Sequence, residues 1–276
     1  QNCNRARGRQ LTTLALLDEA AAQAQRGEMA TVLVLGATGA TGSRVVAQLL
    51  ERGERVRAVV RSKASVPEPV RANERFEAVE ASVLDIPASD LAKHLDGVDR
   101  IVSCLGHNPT AKGIFGKPYY LCTEAIELVH KAILSTPADR KYKVVLMNTI
   151  GTPHPDGSDK TSAMQRAALK LLACCVPPVR DNNSALMYMH KQIGTKDPRI
   201  EWAVVRPDGL LEGDEVTEYD AMANPSTTLF NPGVVRRSNV AHLMAELLTN
   251  QATWDAWRFK FPVVLNKDQT DKGKAK

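Results

Sequence analysis

A glycine-rich turn between an apolar run and a helical pattern is the feature that most constrains this chain. Residues 31–35 (TVLVL) are apolar and partly β-branched, which is typical of a short buried strand. Gly36, Gly39 and Gly42 follow at intervals of three residues. Apolar side chains then recur at the spacing of a helix face, and Gly53 stands where that helix is expected to end. The sequence therefore predicts a strand, a glycine turn and a helix in direct succession.

This layout is suited to binding the pyrophosphate of a dinucleotide. Gly36 can take the tight turn, Gly39 leaves no Cβ in the path of the phosphate, and Gly42 lets the helix approach the sheet. The free N–H groups and the positive dipole end of the helix attract the anion. A glycine pattern alone also fits an ordinary turn before a helix. The strand, the helix and the segment that follows them together favour the nucleotide site.

That following segment indicates which dinucleotide is bound. Residues 56–60 (VRAVV) predict the second strand, and the chain continues as Arg61-Ser62-Lys63. An NAD-specific site places Asp or Glu near this point, where the carboxylate accepts a hydrogen bond from the ribose 2′-hydroxyl. Two cations and no carboxylate favour a 2′-phosphate instead. The sequence therefore predicts NADP(H) as the cofactor, with Arg61 and Lys63 at the 2′-phosphate.

Length and composition fit one α/β domain and argue against several other classes. The chain has 276 residues and a net charge of +5, part of which comes from basic residues at its two ends. No aromatic-and-basic pattern, zinc-finger spacing or helix-turn-helix accompanies that charge, so no nucleic-acid partner is expected. No histidine, cysteine and carboxylate residues have metal-ligand spacing, so no metal is expected. No run of about eighteen apolar residues occurs, so no transmembrane segment is expected.

The five cysteines indicate a reducing compartment. Their number is odd and no C-x-x-C pair occurs, so free thiols are expected, with Cys174 and Cys175 packed in the core. The protein is therefore expected to be soluble, in the cytoplasm or in an organelle matrix or stroma. The first ten residues carry arginine and no acid, which fits either the remnant of an organelle-targeting segment or an arbitrary boundary of the chain.

Predicted strands and helices alternate along the chain at the spacing of βαβ units. The expected fold class is α/β: a Rossmann-type, doubly wound, mostly parallel sheet with helices on both faces. Three parts are expected, namely an N-terminal extension (1–29) that is disordered and then helical, a single NAD(P)-binding domain (30–266) and a charged tail (267–276). The helix over 11–26 is a candidate contact for a protein partner.

Five further strands and several helices are predicted after the second strand. The strands are expected over 76–80, 98–104, 142–147, 201–206 and 259–265. Prolines make 62–74 a loop or a broken helix. A long helix is predicted over 119–134 and a second over 161–175, and Asp181 is expected to cap another that Gly194 ends.

Short motifs along the chain resemble those of a known family. They are GATGATG (36–42), VVR (59–61), SCLG (103–106), MNTIG (147–151), EWAVVRPDGL (201–210) and SNVA (238–241). On these motifs the chain resembles an atypical short-chain dehydrogenase/reductase of the NmrA-like NAD(P)H-binding group. The glycine turn is shared by the whole superfamily, whereas EWAVVRP after a glycine-capped helix is more specific.

The resemblance implies that these motifs line the cofactor from its diphosphate to its nicotinamide. The implied diphosphate residues are Gly36, Thr38, Gly39, Ala40, Thr41 and Gly42. Those implied for the rest of the cofactor are Arg61, Lys63, Leu105, Gly106, Asn148 and Pro207, with Asp208 and Gly209 near the nicotinamide. Thr149 stands, with Asn148, where the family often has a catalytic Ser or Thr.

One motif of active relatives is missing. They carry Tyr-x-x-x-Lys on the helix after the fifth strand, where the lysine lowers the tyrosine pKa and the tyrosine gives its proton to the carbonyl. None of the five tyrosines here has a lysine four residues later. Tyr188 and Lys191 come nearest, at i,i+3 on one predicted helix, where two side chains can meet. The motif position itself falls on residues 181–184.

Two functions remain open on this evidence. The first is an NADP(H)-binding oxidoreductase that acts on a small organic substrate. Thr149 would assist the proton, together with Tyr188 and Lys191 or with a loop histidine, His107 or His154. The alternative is a non-catalytic NADP(H)-binding sensor or assembly subunit that lacks the Tyr-x-x-x-Lys relay. The fold alone does not choose between them.

Overall fold

A mostly parallel sheet runs through the part of the chain that the structure describes. The computed structural model describes residues 31–159, 162–224, 227–228 and 231–270. Its strands are β1 (Thr31–Leu35), β2 (Arg55–Val60), β3 (Phe76–Glu80), β4 (Val98–Ser103), β5 (Tyr142–Met147), β6 (Ile200–Pro207), β7 (Gly209–Leu211), β8 (Tyr219–Met222), β9 (Val234–Arg236) and β10 (Val263–Asn266). Eight of them form one sheet in the order β3-β2-β1-β4-β5-β6-β10-β8. β8 pairs antiparallel with β10, and β7 and β9 form a separate parallel pair.

Helices cover both faces of this sheet. They are α1 (Ala40–Glu51), α2 (Glu68–Arg71), α3 (Ala88–Lys93), α4 (Ala111–Phe115), α5 (Leu121–Leu134), α6 (Ala163–Cys175), α7 (Pro177–Tyr188), α8 (Arg237–Thr249) and α9 (Gln251–Trp257). α1 and α8 pack on one face, and α3, α5 and α7 pack on the other. The predicted Rossmann-type, doubly wound α/β fold is confirmed. None of the helices in the described residues has the length and apolar character needed to cross a bilayer.

The apolar pattern of β1 explains why the sheet has two covered faces. Val32 and Val34 enter the core beside α1 and α8, whereas Leu33 and Leu35 enter the core beside α5 and α7. All four side chains are fully buried. A strand that is covered on both faces is apolar at every position rather than at alternate positions. This is why a continuous apolar run, without alternation, correctly predicted a strand here.

Several element boundaries differ from those predicted. α7 begins at Pro177, so Asp181 lies inside this helix and is not its cap. Proline is tolerated at a helix start because the first N–H groups have no intrahelical acceptor there. Gly194, at a φ of +65°, does end the helical segment, after a π-helical turn over Met189–Ile193. The last strand begins at Val263 rather than at Phe259. Phe259 has a φ of +59°, so the chain turns there instead of being extended.

The segment 62–74 is a broken helix, with a 3₁₀ turn over Lys63–Ser65 followed by α2. α4, α9 and the β7–β9 pair were not predicted. The predicted N-terminal extension, with its helix over 11–26, lies outside the described residues, and so do residues 271–276 of the tail.

The prediction that Cys174 and Cys175 pack in the core is wrong. Both are exposed at the end of α6, whereas Cys104 and Cys122 are buried. α6 packs on α7, outside the layer that covers the sheet, so its last turn meets solvent. Burial raises the pKa of the Cys104 thiol to about 12, so this thiol is neutral and unreactive near neutral pH.

Candidate cofactor and active site

Five neighbouring strands end at the same edge of the sheet. In the parallel register, Leu35 at the end of β1 lies beside Val59 of β2 and beside Ser103 of β4. β4 pairs in parallel with β5, and Met147 at the end of β5 lies beside Val205 of β6. The segments that follow these strands therefore meet in one crevice, where ligands of doubly wound sheets bind. They contain residues 36–42, 61–63, 105–106 and 148–149.

The turn after β1 has room for glycine alone at two positions. Gly36 has a φ of +78°, and a Cβ there would lie 2.9 Å from the backbone of Cys104. A Cβ on Gly42 would lie 2.0 Å from the carbonyl oxygen of Gly36, far inside van der Waals contact. The turn therefore presses on the exit of β4 on one side and on the first turn of α1 on the other.

The first turn of α1 presents unused N–H donors to solvent. Gly39 is the N-cap, no side chain caps the helix, and the first turn contains no acidic residue. The amides of residues 40–42 have no intrahelical acceptor, and they donate to no other residue in the described chain. Thr38, Gly39 and Ala40 are exposed. This is the arrangement that binds a phosphate at a helix N-terminus.

The side chain of Thr41 does not face this anion site. It is buried, and its Oγ1 accepts a hydrogen bond from Arg237 at 3.2 Å. Arg237 in turn donates to Glu212 at 2.9 Å. Thr41 can therefore contribute to the diphosphate through its backbone N–H, while its side chain joins α1 to the start of α8.

The basic pair Arg61 and Lys63 lies just past the end of β2. Both side chains are exposed, and neither forms a hydrogen bond or ion pair with the rest of the described chain. Glu80, at the end of the adjacent strand β3, accepts a hydrogen bond from the backbone N–H of Lys63 at 3.3 Å. The cofactor site predicted from the sequence did not include this carboxylate. Two cations and one carboxylate thus surround the position where the adenosine 2′-substituent is expected.

The exit of β5 is fixed by hydrogen bonds of Asn148 and Thr149. Asn148 is buried, and its amide donates to the carbonyl of Asn182 on α7 at 2.8 Å. Its side-chain oxygen accepts from the N–H of Thr149 at 2.9 Å. The hydroxyl oxygen of Thr149 accepts from the N–H of Gly151 at 3.2 Å, so its own proton remains available to a ligand. Asn148 thus positions the strand end, whereas Thr149 can still donate.

A cleft opens beside this exit, between β5, β6 and α6. It is lined by Ile150, Gly151, Pro153, Asp159, Gln165, Leu169, Asp208, Thr227, Thr228 and Pro232. Asp208 follows Pro207 at the end of β6, and its Oδ2 accepts from the Thr227 hydroxyl and from the N–H of Gly233, both at 2.7 Å. Asp208 therefore shapes the cleft by holding the loop opposite it.

His107, a candidate proton donor by sequence, is engaged on both ring nitrogens. Nε2 lies 2.8 Å from Oδ2 of Asp181, and Nδ1 lies 3.3 Å from the carbonyl oxygen of Gly113. Asp181 also accepts the N–H groups of Cys122 and Thr123 in the first turn of α5, at 2.8 and 2.9 Å. Asp181 is thus the cap of α5 rather than of its own helix, and His107 completes that cap.

The sulfur of Cys122 lies near the same group, so three potential metal ligands converge there. The sequence spacing could not reveal this, because the residues come from three separate segments. Each oxygen of Asp181 accepts two hydrogen bonds, the second on Oδ1 coming from the Thr123 hydroxyl. Burial raises the pKa of the Cys122 thiol well above its ordinary value, and the Asp181 carboxylate adds to the shift. A neutral thiol and a saturated carboxylate suit a hydrogen-bonded cap.

Tyr188 and Lys191 do not join the other predicted site residues. The Tyr188 hydroxyl lies 3.0 Å from Nδ1 of His130 on α5, and Lys191 is exposed. Tyr188 stands about 10 Å along the helix axis from Asp181, away from the strand ends. Burial raises the pKa of Tyr188, and the nearby Glu127 raises it further, which is opposite to what a proton relay needs. The structure therefore gives no support to a catalytic role for this pair.

A fully buried arginine, which the sequence did not single out, anchors one wall of the cleft. Arg206 of β6 makes two hydrogen bonds to Asp159, at 3.0 and 3.2 Å. It also donates to the carbonyl oxygens of Thr152 and Phe261, both at 3.1 Å. The second loop histidine, His154, packs edge-on against Phe261 and pairs with Asp156. Arg206 therefore ties the loop after β5 to β6.

Sequence comparison identifies the family to which this geometry corresponds. The sequence pattern of an NAD(P)H-binding family matches residues 36–251, from the first glycine of the turn through α8. The chain belongs to this NAD(P)H-binding family. The predicted membership in the atypical short-chain dehydrogenase/reductase group of NmrA-like proteins is thereby confirmed. No curated protein is similar enough in sequence to count as a match.

Several solved structures share this fold. The oxidoreductase ylbE from Lactococcus lactis superposes with a TM-score of 0.61 at 19% identity, over 88% of this chain and 94% of its own. A reductase of anaerobilin from Escherichia coli, ChuY, gives a TM-score of 0.56 at 21% identity, over 86% of this chain and 98% of its own. A protein from Lactobacillus casei gives a TM-score of 0.62 at 19% identity, over 86% of this chain and 100% of its own. At these identities the similarity establishes the fold alone.

The described residues fit the dinucleotide that the family binds. The amides of residues 40–42 are free to hold a diphosphate. Gly106 is exposed, and no atom lies within 4 Å of the place a Cβ would occupy there, so the surface along the ribose segment is open. Leu105 is half-buried beside it, and Pro207 is buried with its carbonyl oxygen accepting the N–H of Ile150 at 3.0 Å.

Proposed function

We propose that the protein is an NADPH-dependent oxidoreductase acting on a small organic carbonyl or an activated double bond. The observation that carries this proposal is the cleft at the exits of β5 and β6, whose described lining begins at Ile150, the residue after Thr149. It lies where the doubly wound fold presents the reactive end of its cofactor to a substrate. Its described lining combines apolar side chains with a few fixed polar groups, as small-molecule sites do.

Preference for the phosphorylated dinucleotide is supported by the charges after β2. Arg61 and Lys63 have exposed side chains that are not engaged with the rest of the described chain. Glu80 accepts a hydrogen bond from the backbone N–H of Lys63, and a carboxylate at this end of the sheet favours NAD, since it can accept from a 2′-hydroxyl. A guanidinium forms a bidentate pair with a phosphate and is always charged. We therefore infer that the two cations outweigh the single carboxylate.

Replacing Arg61 with alanine is expected to weaken NADPH binding by about 10- to 100-fold and to leave NADH binding unchanged, since a hydrogen bond to a charged group contributes about 1.5–3 kcal/mol. Isothermal titration of both dinucleotides measures the two affinities. Arg55→Ala is the matched control, because Arg55 is an exposed arginine at the opposite end of the same strand. Equal wild-type affinities for NADPH and NADH would rule out the 2′-phosphate assignment.

Thr149 is proposed as the group that orients the substrate. When bound, the nicotinamide supplies a hydride, and the substrate carbonyl then needs a hydrogen-bond donor at its oxygen. The Thr149 hydroxyl accepts from Gly151 and keeps its own proton for that purpose. The proton that the product finally takes up has no assigned donor among Tyr188, His107 and His154, because each of these is engaged elsewhere. Solvent in the open cleft supplies it in this proposal.

Thr149→Val is expected to lower kcat by ~10²-fold without changing the affinity for NADPH, since one donor to a developing oxyanion contributes about that much. Thr149→Ser keeps the hydroxyl and is expected to retain most activity. NADPH oxidation is followed by absorbance with a panel of small aldehydes, ketones and quinones.

The missing Tyr-x-x-x-Lys favours a second candidate function, a non-catalytic NADP(H)-binding sensor or assembly subunit. This candidate predicts tight NADPH binding with no oxidation by any member of the panel. Activity that is equal in wild type and Thr149→Val would argue against the role of Thr149 while leaving the reductase itself in place.

A further inference from the structure

The outward side of α6 carries an apolar face that the described part of the chain leaves exposed. Met164 is 68% exposed and Leu171 is 67% exposed, and Leu172 beside them is 37% exposed. Met164, Leu171 and Cys175 are spaced seven and four residues apart, so they share one side of the helix. The opposite side is buried through Gln165 and Leu169. An apolar face of this kind on a soluble domain marks a contact surface.

The charges on α6 itself are of one sign. Residues 163–175 contain two cations, Arg166 and Lys170, and no carboxylate. Both side chains are exposed. At 100° per residue, Lys170 lies about 100° around the helix axis from Leu171, at the edge of the apolar face, and Arg166 lies farther round the exposed side. An apolar face of leucine and methionine bordered by basic side chains is the composition of helices that lie in the plane of a lipid surface.

We propose that this face of α6 docks on a membrane surface that contains anionic lipids. In a symmetric contact between two copies, α6 offers no carboxylate that could pair with the Lys170 of the second copy. An acidic protein partner would find few groups for hydrogen bonding, because the exposed face is built from methionine, leucine, alanine and cysteine. Acyl chains need no such groups, and anionic headgroups match the flanking cations.

Vesicle flotation tests this proposal with the full chain. The vesicles contain phosphatidylcholine with about one-third phosphatidylserine, or phosphatidylcholine alone. We expect binding to the anionic vesicles, at least fivefold weaker binding to neutral ones, and loss of most binding at high salt, because each basic residue near the surface contributes about 1 kcal/mol. Lys170→Glu is expected to weaken anionic binding at least fivefold.

Leu171→Glu is expected to reduce anionic-vesicle binding at least tenfold without affecting folding, since the side chain is largely exposed. Leu134→Glu is the matched control, because Leu134 is an exposed leucine, 46% accessible, at the end of α5. It is expected to bind as the wild type does.

Three results would overturn the proposal. The first is no binding to anionic vesicles. The second is equal binding by wild type and Leu171→Glu, which would assign any binding to the basic ends of the chain. The third is a dimer by light scattering that Leu171→Glu converts to a monomer, which would assign the face to a second copy.

Discussion

Replacing Gly42 with alanine is expected to abolish measurable dinucleotide binding. The new Cβ would lie 2.0 Å from the carbonyl oxygen of Gly36 and 2.8 Å from its carbonyl carbon, and both are backbone atoms. Neither can rotate away, so the turn or the first turn of α1 has to move. Either movement separates the amides of residues 40–42 from the diphosphate they are placed to hold. We expect a loss of affinity of more than about 100-fold by calorimetry, the scale of a ~1 Å displacement in a preorganised site.

Gly53→Ala is the matched control for this variant. Gly53 follows the other end of α1 at a φ of +83°, so alanine there strains the same helix by about 1 kcal/mol. It is far from the phosphate turn, and dinucleotide affinity is expected to stay at the wild-type value. If Gly42→Ala bound NADPH as the wild type does while remaining folded, the turn would not be the phosphate site.

Replacing Arg206 with methionine is expected to destabilise the fold by about 3–5 kcal/mol, because it removes the buried guanidinium that pairs with the Asp159 carboxylate. Arg206 is fully buried and Asp159 is nearly so. The carbonyls of Thr152 and Phe261 lose a donor as well. Urea denaturation followed by circular dichroism measures the change.

Adding Asp159→Leu to Arg206→Met is expected to restore part of the lost stability, because an apolar side chain replaces a buried carboxylate that has lost its guanidinium. Lys93→Met serves as the control, since its pair with Asp90 is exposed and its loss costs less than about 1 kcal/mol. A double variant less stable than Arg206→Met alone would show that the ion pair is not the source of the effect.

The central strands could be predicted closely because they are covered on both faces. The apolar run Tyr142–Met147 was placed at its observed ends, as was β1, and the glycines at 36, 39 and 42 marked the turn between β1 and α1. Short elements such as β7 and β9, with three residues each, carry too little periodicity to be seen. The glycine turn and the long buried strands could therefore be predicted from the sequence, whereas the three-residue strands could not.

Contacts between distant segments account for what the sequence did not show. Asp181 was read as the cap of its own helix, because Asp before a helical pattern favours that position. It caps α5 instead, 58 and 59 residues earlier in the chain. Arg206 looked like part of a family motif, and its partner Asp159 lies 47 residues away. Glu80 reaches the cofactor edge only because β3 pairs with β2. Partners that are this distant in sequence can be identified only when the pairing of the strands is known.

The cysteine pair shows the limit of composition as a guide to burial. Apolar residues surround Cys174 and Cys175 in the sequence, which favours a core position. α6 is an additional helix packed on α7 rather than on the sheet, so an apolar stretch faces solvent there. This exposed apolar stretch also makes α6 a candidate contact surface.

The most direct test of the proposed site is a crystal structure of the protein with NADP⁺. We expect the diphosphate on the amides that begin α1, the 2′-phosphate beside Arg61, and the nicotinamide facing the cleft next to Thr149. A dinucleotide bound elsewhere, or a nicotinamide ring sealed from the cleft by protein side chains, would contradict the proposed reductase.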